Sequence, residues 1–172
     1  YKVGTVTYRF LVDCSAYPDS PTSICVEDPN PIQAAIDDIL ANNRMPSDGK
    51  IYVEKDTYND TVSINATANA FLAALKGLVG VADINGVFPT INGSVTVLGT
   101  TTGFTLSGFT VNNSVVFGDN NGSLLLQDLV VSNTAGIGLD VYNHTGNVSL
   151  VRVNSKNNNY KGIEINNVNG GA

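Results

Sequence analysis

The sequence predicts a parallel β-helix, a solenoid in which short strands of one coil stack on those of the coil before. Residues 122–146 and 146–170 repeat with a period of 24 residues, and self-similarity at such a period is typical of repeat architectures. Within each repeat, apolar and polar residues alternate in short runs, which indicates strands rather than helices. Asn, Gly, Ser and Thr separate these runs and favour tight turns.

The repeat aligns apolar residues with apolar residues. The aligned pairs are Leu124 with Val148, Leu126 with Leu150, Leu129 with Val153, Leu139 with Ile163, and Val141 with Ile165. An earlier run, Phe104–Val111, matches Leu124–Val131 at a shift of 20 residues, so it predicts a shorter coil of the same kind. A single coil cannot bury its apolar side chains, and each coil therefore needs neighbours.

The first 29 residues lie outside the repeat. Residues 1–12 alternate like a strand, which we expect to pair at one end of the solenoid or with another chain. Prolines 18, 21 and 29 exclude regular structure from residues 13–29. Cys14 and Cys25 flank this loop and are predicted to form a disulfide, the alternative being two free thiols. We treat residues 30–172 as one domain that follows this segment.

One amphipathic helix is predicted from Asn30 to about Asn42. Asn30 is a good N-cap, Pro31 suits the first helical position, and Gln33 has the capping-box spacing. The helix has one apolar stripe, formed by Ile32, Ala35, Ile36, Ile39 and Leu40. We expect it to cover the apolar side chains at the end of the first coil.

Residues 51–64 are expected to supply the first coil. Its predicted inward side chains are Ile51, Val53, Val62 and Ile64. Residues 66–79 fit either a helical turn or a strand, with strand favoured from Leu75 onward. Further strands are predicted at 90–99 and 104–111.

The phrases PIQAAIDDIL, GKIYVEKDTYND, LSGFTVNN and NNNYKGIEINN, in this order, resemble the right-handed parallel β-helix of the pectin-lyase-like superfamily. In that superfamily an amphipathic helix caps the first coil, and a Gly-Thr-Tyr turn follows the first strand. Here Asp56 stands where glycine is usual. The resemblance covers about residues 30–172, and its motifs mark the fold rather than an activity.

The repeat stacks three asparagines at the turn after an inner strand: Asn113, Asn133 and Asn157. Amides at the spacing of adjacent strands can hydrogen-bond along the column, so an asparagine ladder is predicted. The alternative is three unrelated, solvated asparagines.

Composition excludes some partners and favours one location. The net charge of −6 and the pI of about 4.4 exclude nucleic acid as a partner, and no apolar run is long enough for membrane insertion. The chain begins at Tyr1, so we interpret it as a processed or excised piece, located outside the cell or at its surface. Candidate N-glycosylation sequons begin at Asn59, Asn65, Asn92, Asn112, Asn121, Asn143 and Asn147.

The superfamily includes lyases and hydrolases of acidic polysaccharides. In the related hydrolases an Asn-Thr-Asp phrase supplies the general acid, whereas this chain has Asn133-Thr134-Ala135. A methyl group thus replaces the carboxylate, and no catalytic residue is assigned. The related lyases use an arginine base, but the repeat places Arg152 beside Asp128, which predicts an ion pair between coils.

Asp140 and Glu164 occupy matching outward positions on adjacent coils. Such a pair could raise one carboxyl pKa or donate oxygens to Ca²⁺. We interpret the pair as a solvated face first, then as a weak calcium site or a catalytic pair, and we expect no other cofactor or metal. His144 is interpreted as a solvated turn residue, and Tyr142 and Tyr160 as candidate sugar-stacking faces.

These observations predict a secreted, non-catalytic β-helix module with a structural or adhesive role at a cell surface. The C-terminal end is expected to be open, so the partner is either another copy, stacked end to end into a filament, or the continuation of a longer chain. One alternative is a fragment of a polysaccharide lyase or glycoside hydrolase whose active site lies elsewhere. A second is a carbohydrate-binding module, with a polysaccharide as partner.

Overall fold

In the computed structural model, short parallel strands stack into a β-solenoid of about five coils, with one helix near the N-terminus. The structure describes residues 9–11, 23–25, 30–43, 45–46 and 48–170. The predicted parallel β-helix with a single N-terminal helix is confirmed.

Fourteen strands and two helical segments follow one another along the described chain. They are β1 (Arg9–Leu11), β2 (Ser23–Cys25), α1 (Pro31–Ala41), β3 (Lys50–Glu54), β4 (Thr57–Tyr58), β5 (Val62–Asn65), a 3-10 helix (Ala70–Ala74), β6 (Gly77–Val81), β7 (Thr90–Ile91), β8 (Val95–Leu98), β9 (Phe104–Val111), β10 (Val115–Gly118), β11 (Leu124–Ser132), β12 (Leu139–Thr145), β13 (Val148–Lys156) and β14 (Ile163–Asn169). Coil 1 contains β3 to β5, coil 2 β6 to β8, coil 3 β9 and β10, coil 4 β11 and β12, and coil 5 β13 and β14.

The strands form two parallel sheets that face each other across the core. Sheet A has nine strands in the order β13-β11-β9-β6-β3-β1-β2, with β4 and β7 paired beside this path. Sheet B has five strands in the order β14-β12-β10-β8-β5. Because each coil adds one rung to both sheets, the apolar side chains form continuous columns inside the solenoid.

The register of these strands is the one that the repeat predicts. Leu126 lies opposite Leu150 on β13 and opposite Leu106 on β9. In sheet B, Leu139 lies opposite Ile163 and Val141 opposite Ile165. The largest fully buried side chains include Phe109 and Phe117, which fill the interior between the sheets.

The long strands of sheet A bend at one residue. Gly108, Asp128 and Arg152 occupy this position on successive coils, with φ of 72°, 53° and 53°. The pairing of β11 with β13 omits Asp128 and Arg152, and the inward positions shift from Leu126 to Leu129 across the bend. The bend therefore divides each of β9, β11 and β13 into two straight halves. Together with one strand of sheet B, these halves give coils 3 to 5 three straight sides each.

The predicted helix and its apolar stripe are confirmed, but its N-terminus is capped from another coil. The Asn30 side chain makes no capping hydrogen bond. Instead, Asp60 Oδ2 accepts hydrogen bonds from the backbone N–H groups of Ile32 (2.7 Å) and Gln33 (3.1 Å). A carboxylate suits this place because free N–H groups and the helix dipole both favour an anion.

Gln33 does not complete a capping box. Its Oε1 accepts from the backbone N–H of Ser63 (2.7 Å), and its Nε2 donates to Asp37 (2.9 Å). Ser63 belongs to β5, the terminal strand of sheet B. The helix thus satisfies part of an otherwise unpaired sheet edge as well as covering the core.

We expect Asp60→Ala to lower the free energy of unfolding by about 2 kcal/mol, because it removes the acceptor for two helix N–H groups at a buried site. Asp60→Asn keeps an acceptor oxygen and should cost less. Urea denaturation followed by circular dichroism measures both. A loss for Asp60→Ala of under about 0.5 kcal/mol would show that the cap contributes little.

The N-terminal segment pairs at the end of the solenoid. β1 lies between β3 and β2, parallel to both, so the predicted pairing is confirmed for Arg9–Leu11. The expectation of no regular structure in residues 13–29 is wrong for Ser23–Cys25, which forms β2 between the prolines. The predicted disulfide lies outside the described residues, since Cys14 is not described and only the backbone of Cys25 is.

The segment of uncertain prediction, 66–79, contains both candidate structures. A 3-10 turn at Ala70–Ala74 is followed by β6 from Gly77 onward. The predicted strand at 90–99 is two strands, β7 and β8. Within the described part of the chain, no helix has the length and apolar character that crossing a membrane requires.

Candidate functional site on the outer face of sheet B

Alternate residues of sheet B point outward and form two columns. One contains Ser63, Thr96, Val116, Asp140 and Glu164, and the other contains Asn65, Leu98, Gly118, Tyr142 and Asn166. The residues between them point inward, as the burial of Leu139 and Val141 shows. The strand period of two thus places Asp140, Glu164 and Tyr142 on one surface.

Asp140 lines an open groove of about 560 Å³ on this surface. Val116 contributes to it from the neighbouring coil, residues 134–137 from the turn after β11, and Tyr160 from the equivalent turn of coil 5. The Tyr160 side chain is 72% exposed. An exposed aromatic ring beside a half-buried carboxyl group can stack on a sugar and hydrogen-bond its hydroxyl groups.

Ala135 lies in this same groove. Around it, Gly136 N donates to Thr134 Oγ1 (3.2 Å), and Thr134 N donates to Asn158 Oδ1 (3.3 Å) on coil 5. The first bond lies within the turn, and the second holds the turn against the next coil. The methyl group that replaces a carboxylate in the Asn-Thr-Asp comparison therefore faces the groove that contains Asp140.

Asp140 and Glu164 are direct register partners, but their environments differ. Glu164 Oε1 accepts from Lys161 Nζ at 2.6 Å, and this hydrogen bond lowers the pKa of Glu164. Burial, followed by the charge of Glu164, raises the pKa of Asp140, with Lys161 acting in the opposite direction. Asp140 is thus the carboxyl group of the pair that protonates more readily.

The weak calcium site is not supported by a cluster of ligands. Among the described residues, no group of three or more His, Cys, Asp and Glu side chains could hold a metal ion. Lys161 also places its own cation on Glu164. The pair can bind a neutral polar ligand through Asp140 while Glu164 remains paired.

No family model, curated protein or solved structure matches this chain. The likeness to the pectin-lyase-like superfamily therefore stays a resemblance in sequence phrases, and the solenoid architecture rests on the strand pairing described above.

Tyr142 covers the surface rather than projecting from it. A Cβ atom on Gly118 would lie 2.2 Å from the Tyr142 ring, so the ring lies directly over this glycine. Of the two tyrosines considered from the sequence, Tyr160 is consequently the one that offers an open ring face at the groove. The sequence phrase Asn-Asn-Tyr-Lys in coil 5 carried this signal, since it places Tyr160 in the turn between β13 and β14, where a side chain is not packed between strands.

Arg152 lies against Asp128 across coils 4 and 5, as the repeat spacing predicts. Arg152 Nε donates to Asp128 Oδ1, and Nη2 donates to Oδ2 at 2.8 Å. Arg152, with a smaller contribution from Gln127, lowers the pKa of Asp128 to about 2. Both residues sit at the bend of sheet A, on the outside of the solenoid and away from the groove, so the pair has a structural role.

We expect Arg152→Gly to be more stable than Arg152→Ala. Both variants lose the ion pair, but only glycine adopts a φ of 53° without the steric cost, roughly 1 kcal/mol, that a Cβ atom brings. Urea midpoints at neutral pH measure the difference. The ion pair also makes the stability of the wild type depend on pH. Because the pKa of Asp128 is lowered in the folded protein, the pair stabilises the fold above about pH 4, and this stabilisation is lost as pH falls towards 2. Equal midpoints for the two variants would contradict the left-handed bend.

The asparagine ladder lies one residue earlier than predicted. Asn92 Nδ2 donates to Asn59 Oδ1 (3.0 Å), Asn112 Nδ2 donates to Asn92 Oδ1 (2.9 Å), and Ser132 Oγ donates to Asn112 Oδ1 (3.2 Å). The predicted members serve the turn instead. Asn113 accepts from the backbone of Ser114, Asn133 donates to Ser132, and both Asn133 and Asn157 have left-handed backbones.

A second ladder, absent from the sequence prediction, runs across the C-terminal ends of the strands of sheet B. Asn143 Nδ2 donates to Asp119 Oδ1 (3.1 Å), and Asn167 Nδ2 donates to Asn143 Oδ1 (2.7 Å). All three residues have positive φ. Asn and Asp tolerate this conformation and can bond along the stack, which explains their recurrence every coil.

The sequons divide by their place in these ladders. Asn59, Asn92, Asn112 and Asn143 are ladder members. Asn121 and Asn147 are exposed, and Asn65 is half-buried with its Oδ1 accepting from the backbone of Ala68. Whether any of the seven carries a glycan stays a prediction.

The interpretation of His144 as a solvated turn residue is wrong. β12 continues to Thr145, but Asn143 within it has a left-handed backbone with a φ of 48°. This bend shifts the strand alternation by one residue and turns His144 inward, where its side chain is 2% exposed. It lies opposite Val168 of coil 5. Sequence reasoning missed it because the Asn-His-Thr phrase favours a turn, whereas the turn begins at Gly146.

Proposed function

We propose that this chain is a non-catalytic β-solenoid module with a structural or adhesive role at a cell surface, acting through end-to-end contact with another coil. The observation that carries the proposal is the exposure of inward-facing side chains on coil 5. Leu150 is 37% exposed and Ile163 is 40% exposed, whereas Leu126 and Leu139, one coil earlier, are 0% exposed. This surface has the shape and pattern that a further coil would cover.

The strand edges support the same contact. Among the described strands, β13 and β14 are terminal in sheets A and B, so one side of each strand offers backbone groups for another strand. At the opposite end, β2 is the terminal strand of sheet A. A second copy stacked head to tail would bring its β2 to β13 and extend the sheet, which is the geometry of a filament.

The acidic residues support a structural role because they have structural partners. Asp60 caps α1, Asp128 pairs with Arg152, and Glu164 pairs with Lys161. The charged fraction of 14% and the seven sequons favour an extracellular setting. The partner is a second copy or, in a longer protein, the next coil of the same chain.

Sedimentation velocity over a range of concentrations tests the proposal. We expect the 172-residue chain to self-associate and the double variant Leu150→Lys, Ile163→Lys to remain monomeric. Both side chains are exposed in the single chain, so the double variant should fold. Val87→Lys, which changes an apolar side chain that is 49% exposed on a distant loop, is the matched control and should associate like the wild type.

A strict monomer at high concentration would contradict self-association. Association that persists in the double variant would show that another surface is responsible.

A second candidate function, carbohydrate binding, is favoured by the groove on sheet B. Tyr160 presents an open ring with Lys161 Nζ 5.2 Å from its centroid, next to Asp140. Oligosaccharide binding measured by glycan array and calorimetry should be lost in Tyr160→Ala and weakened in Asp140→Asn, with Val87→Ala as control. Formation of reducing ends or unsaturated products from polygalacturonate, lost in Asp140→Asn, would favour the enzyme alternative instead.

A further inference from the structure

We infer that His144 holds coil 5, residues 147–170, closed in its neutral form, and that this coil opens in mildly acidic solution. The inference concerns a single chain in dilute solution and does not depend on self-association.

The imidazole of His144 lies in a closed polar corner of the solenoid. It is 2% exposed, and neither ring nitrogen makes a hydrogen bond of ordinary geometry, although backbone groups of Gly122 and Asn147 lie near the ring. Asn120 occupies the equivalent corner of coil 3, but its amide is already engaged. Its Oδ1 accepts from the backbone and the hydroxyl group of Thr100 (2.8 Å each), and its Nδ2 donates to the carbonyl of Val97 (3.0 Å).

A protonated imidazole would carry two N–H donors in this corner and would leave a charge without a counterion. Burial lowers the pKa of His144, and the backbone of Gly122 and Asn147 only partly offsets this effect. The neutral ring is therefore the form that the closed coil accepts.

The surrounding elements offer little compensation for a positive charge. On coil 3, Asp119 is exposed and its carboxylate accepts from Asn143 on the outer side. On coil 5, the residues opposite the end of β12 are Val168 and Asn169, which are uncharged. On the same strand, Asp140 points outward to Glu164. Protonation of Asp140 would reduce repulsion between the coils and would act in the opposite direction.

Coil 5 is the element that can uncover His144. Among the described elements it packs on coil 4 alone, and its inward residues Leu150 and Ile163 are the most exposed of their columns. In a solenoid each coil is held by its nearest neighbours, so a terminal coil can open without the rest.

The direction of the pH effect follows from proton linkage. The closed state binds the proton at a pKa below the ordinary value, whereas the open state binds it at about 6.5. The open state therefore holds more protons below about pH 6.5. The opening equilibrium constant should rise by at most about tenfold per pH unit as pH falls, and then level off below the folded pKa.

Amide hydrogen exchange followed by mass spectrometry tests the inference. After correction for intrinsic rates, peptides from 147–170 should lose protection at about pH 5 relative to about pH 7.5, while peptides from 77–111 keep theirs. His144→Val, which repeats the residue type found at Val168, should show no such loss. An equal acid-induced loss in this variant would overturn the inference.

A second measurement is independent of any variant. His144 is the only histidine of the chain, so its imidazole signal in a proton–carbon correlation spectrum is unambiguous. We expect it to titrate below the ordinary value of about 6.5. Titration at or above that value, with coil 5 still protected, would also overturn the inference.

Discussion

Leu126→Ala should lower the free energy of unfolding by about 2–5 kcal/mol, the range for a large aliphatic side chain removed from a packed interior. Leu126 is 0% exposed and lies between Leu106 below and Leu150 above. Removing it leaves a cavity in the middle of a column, and the hydrogen-bonded strands on both sides prevent the coils from closing the gap.

Leu150→Ala is the matched control, since it removes the same side chain from the same column one coil later. Because Leu150 is 37% exposed, we expect a loss of only about 1 kcal/mol. Urea denaturation of both variants measures the difference. Equal losses would contradict the stacking of coil 5 on coil 4.

Gly80→Ala should cost about 3 kcal/mol or more, because the added methyl group has no space. A Cβ atom at Gly80 would lie 1.8 Å from the backbone oxygen of Gly108 and 2.8 Å from Pro89 Cγ. The obstacle is backbone of the neighbouring long strand, so no rotamer change relieves it. Coils 2 and 3 would have to separate locally.

Gly136→Ala supplies the control for this prediction. Nothing lies within 4 Å of a Cβ atom at Gly136, so the variant should stay within about 0.5 kcal/mol of the wild type. If Gly80→Ala and Gly136→Ala were equally stable in thermal and urea unfolding, the close contact between the backbones at Gly80 and Gly108 would be contradicted.

The repeat predicted the architecture well because strand register is set by apolar periodicity. A slip of one residue would turn Leu126 and Leu129 to the wrong side of the strand, so the alignment of Leu126 with Leu150 determines the pairing of whole coils. The helix was predictable for a similar reason. Ile32, Ile36 and Ile39 recur at helical spacing and form one apolar stripe, which fits a helix that covers the end of the core.

Contacts between coils that depend on side-chain direction were not predictable. Adjacent asparagines such as Asn112 and Asn113 have the same residue type, and only the backbone decides which amide joins the ladder. Asp60 caps a helix that begins 29 residues earlier, a relation with no local signal. His144 was misplaced because local turn propensity competed with a strand that extends one residue beyond it.

The candidate site was predicted in part. The repeat placed Asp140 beside Glu164, and the structure has them as register partners. The groove was not predicted, because its walls are the turn at 134–137 and the Tyr160 side chain. Apolar periodicity does not determine turn conformations. The difference in environment between the two carboxyl groups could therefore be found only from the structure.

Methyl-to-methyl nuclear Overhauser effects in a leucine-labelled sample test the stacked solenoid most directly. We expect strong effects from Leu126 to both Leu106 and Leu150, which lie 20 and 24 positions away in the sequence and are its direct partners on the neighbouring strands. Absence of both effects in a folded, monodisperse sample would contradict the stacking of coils on which the fold and both functional proposals depend.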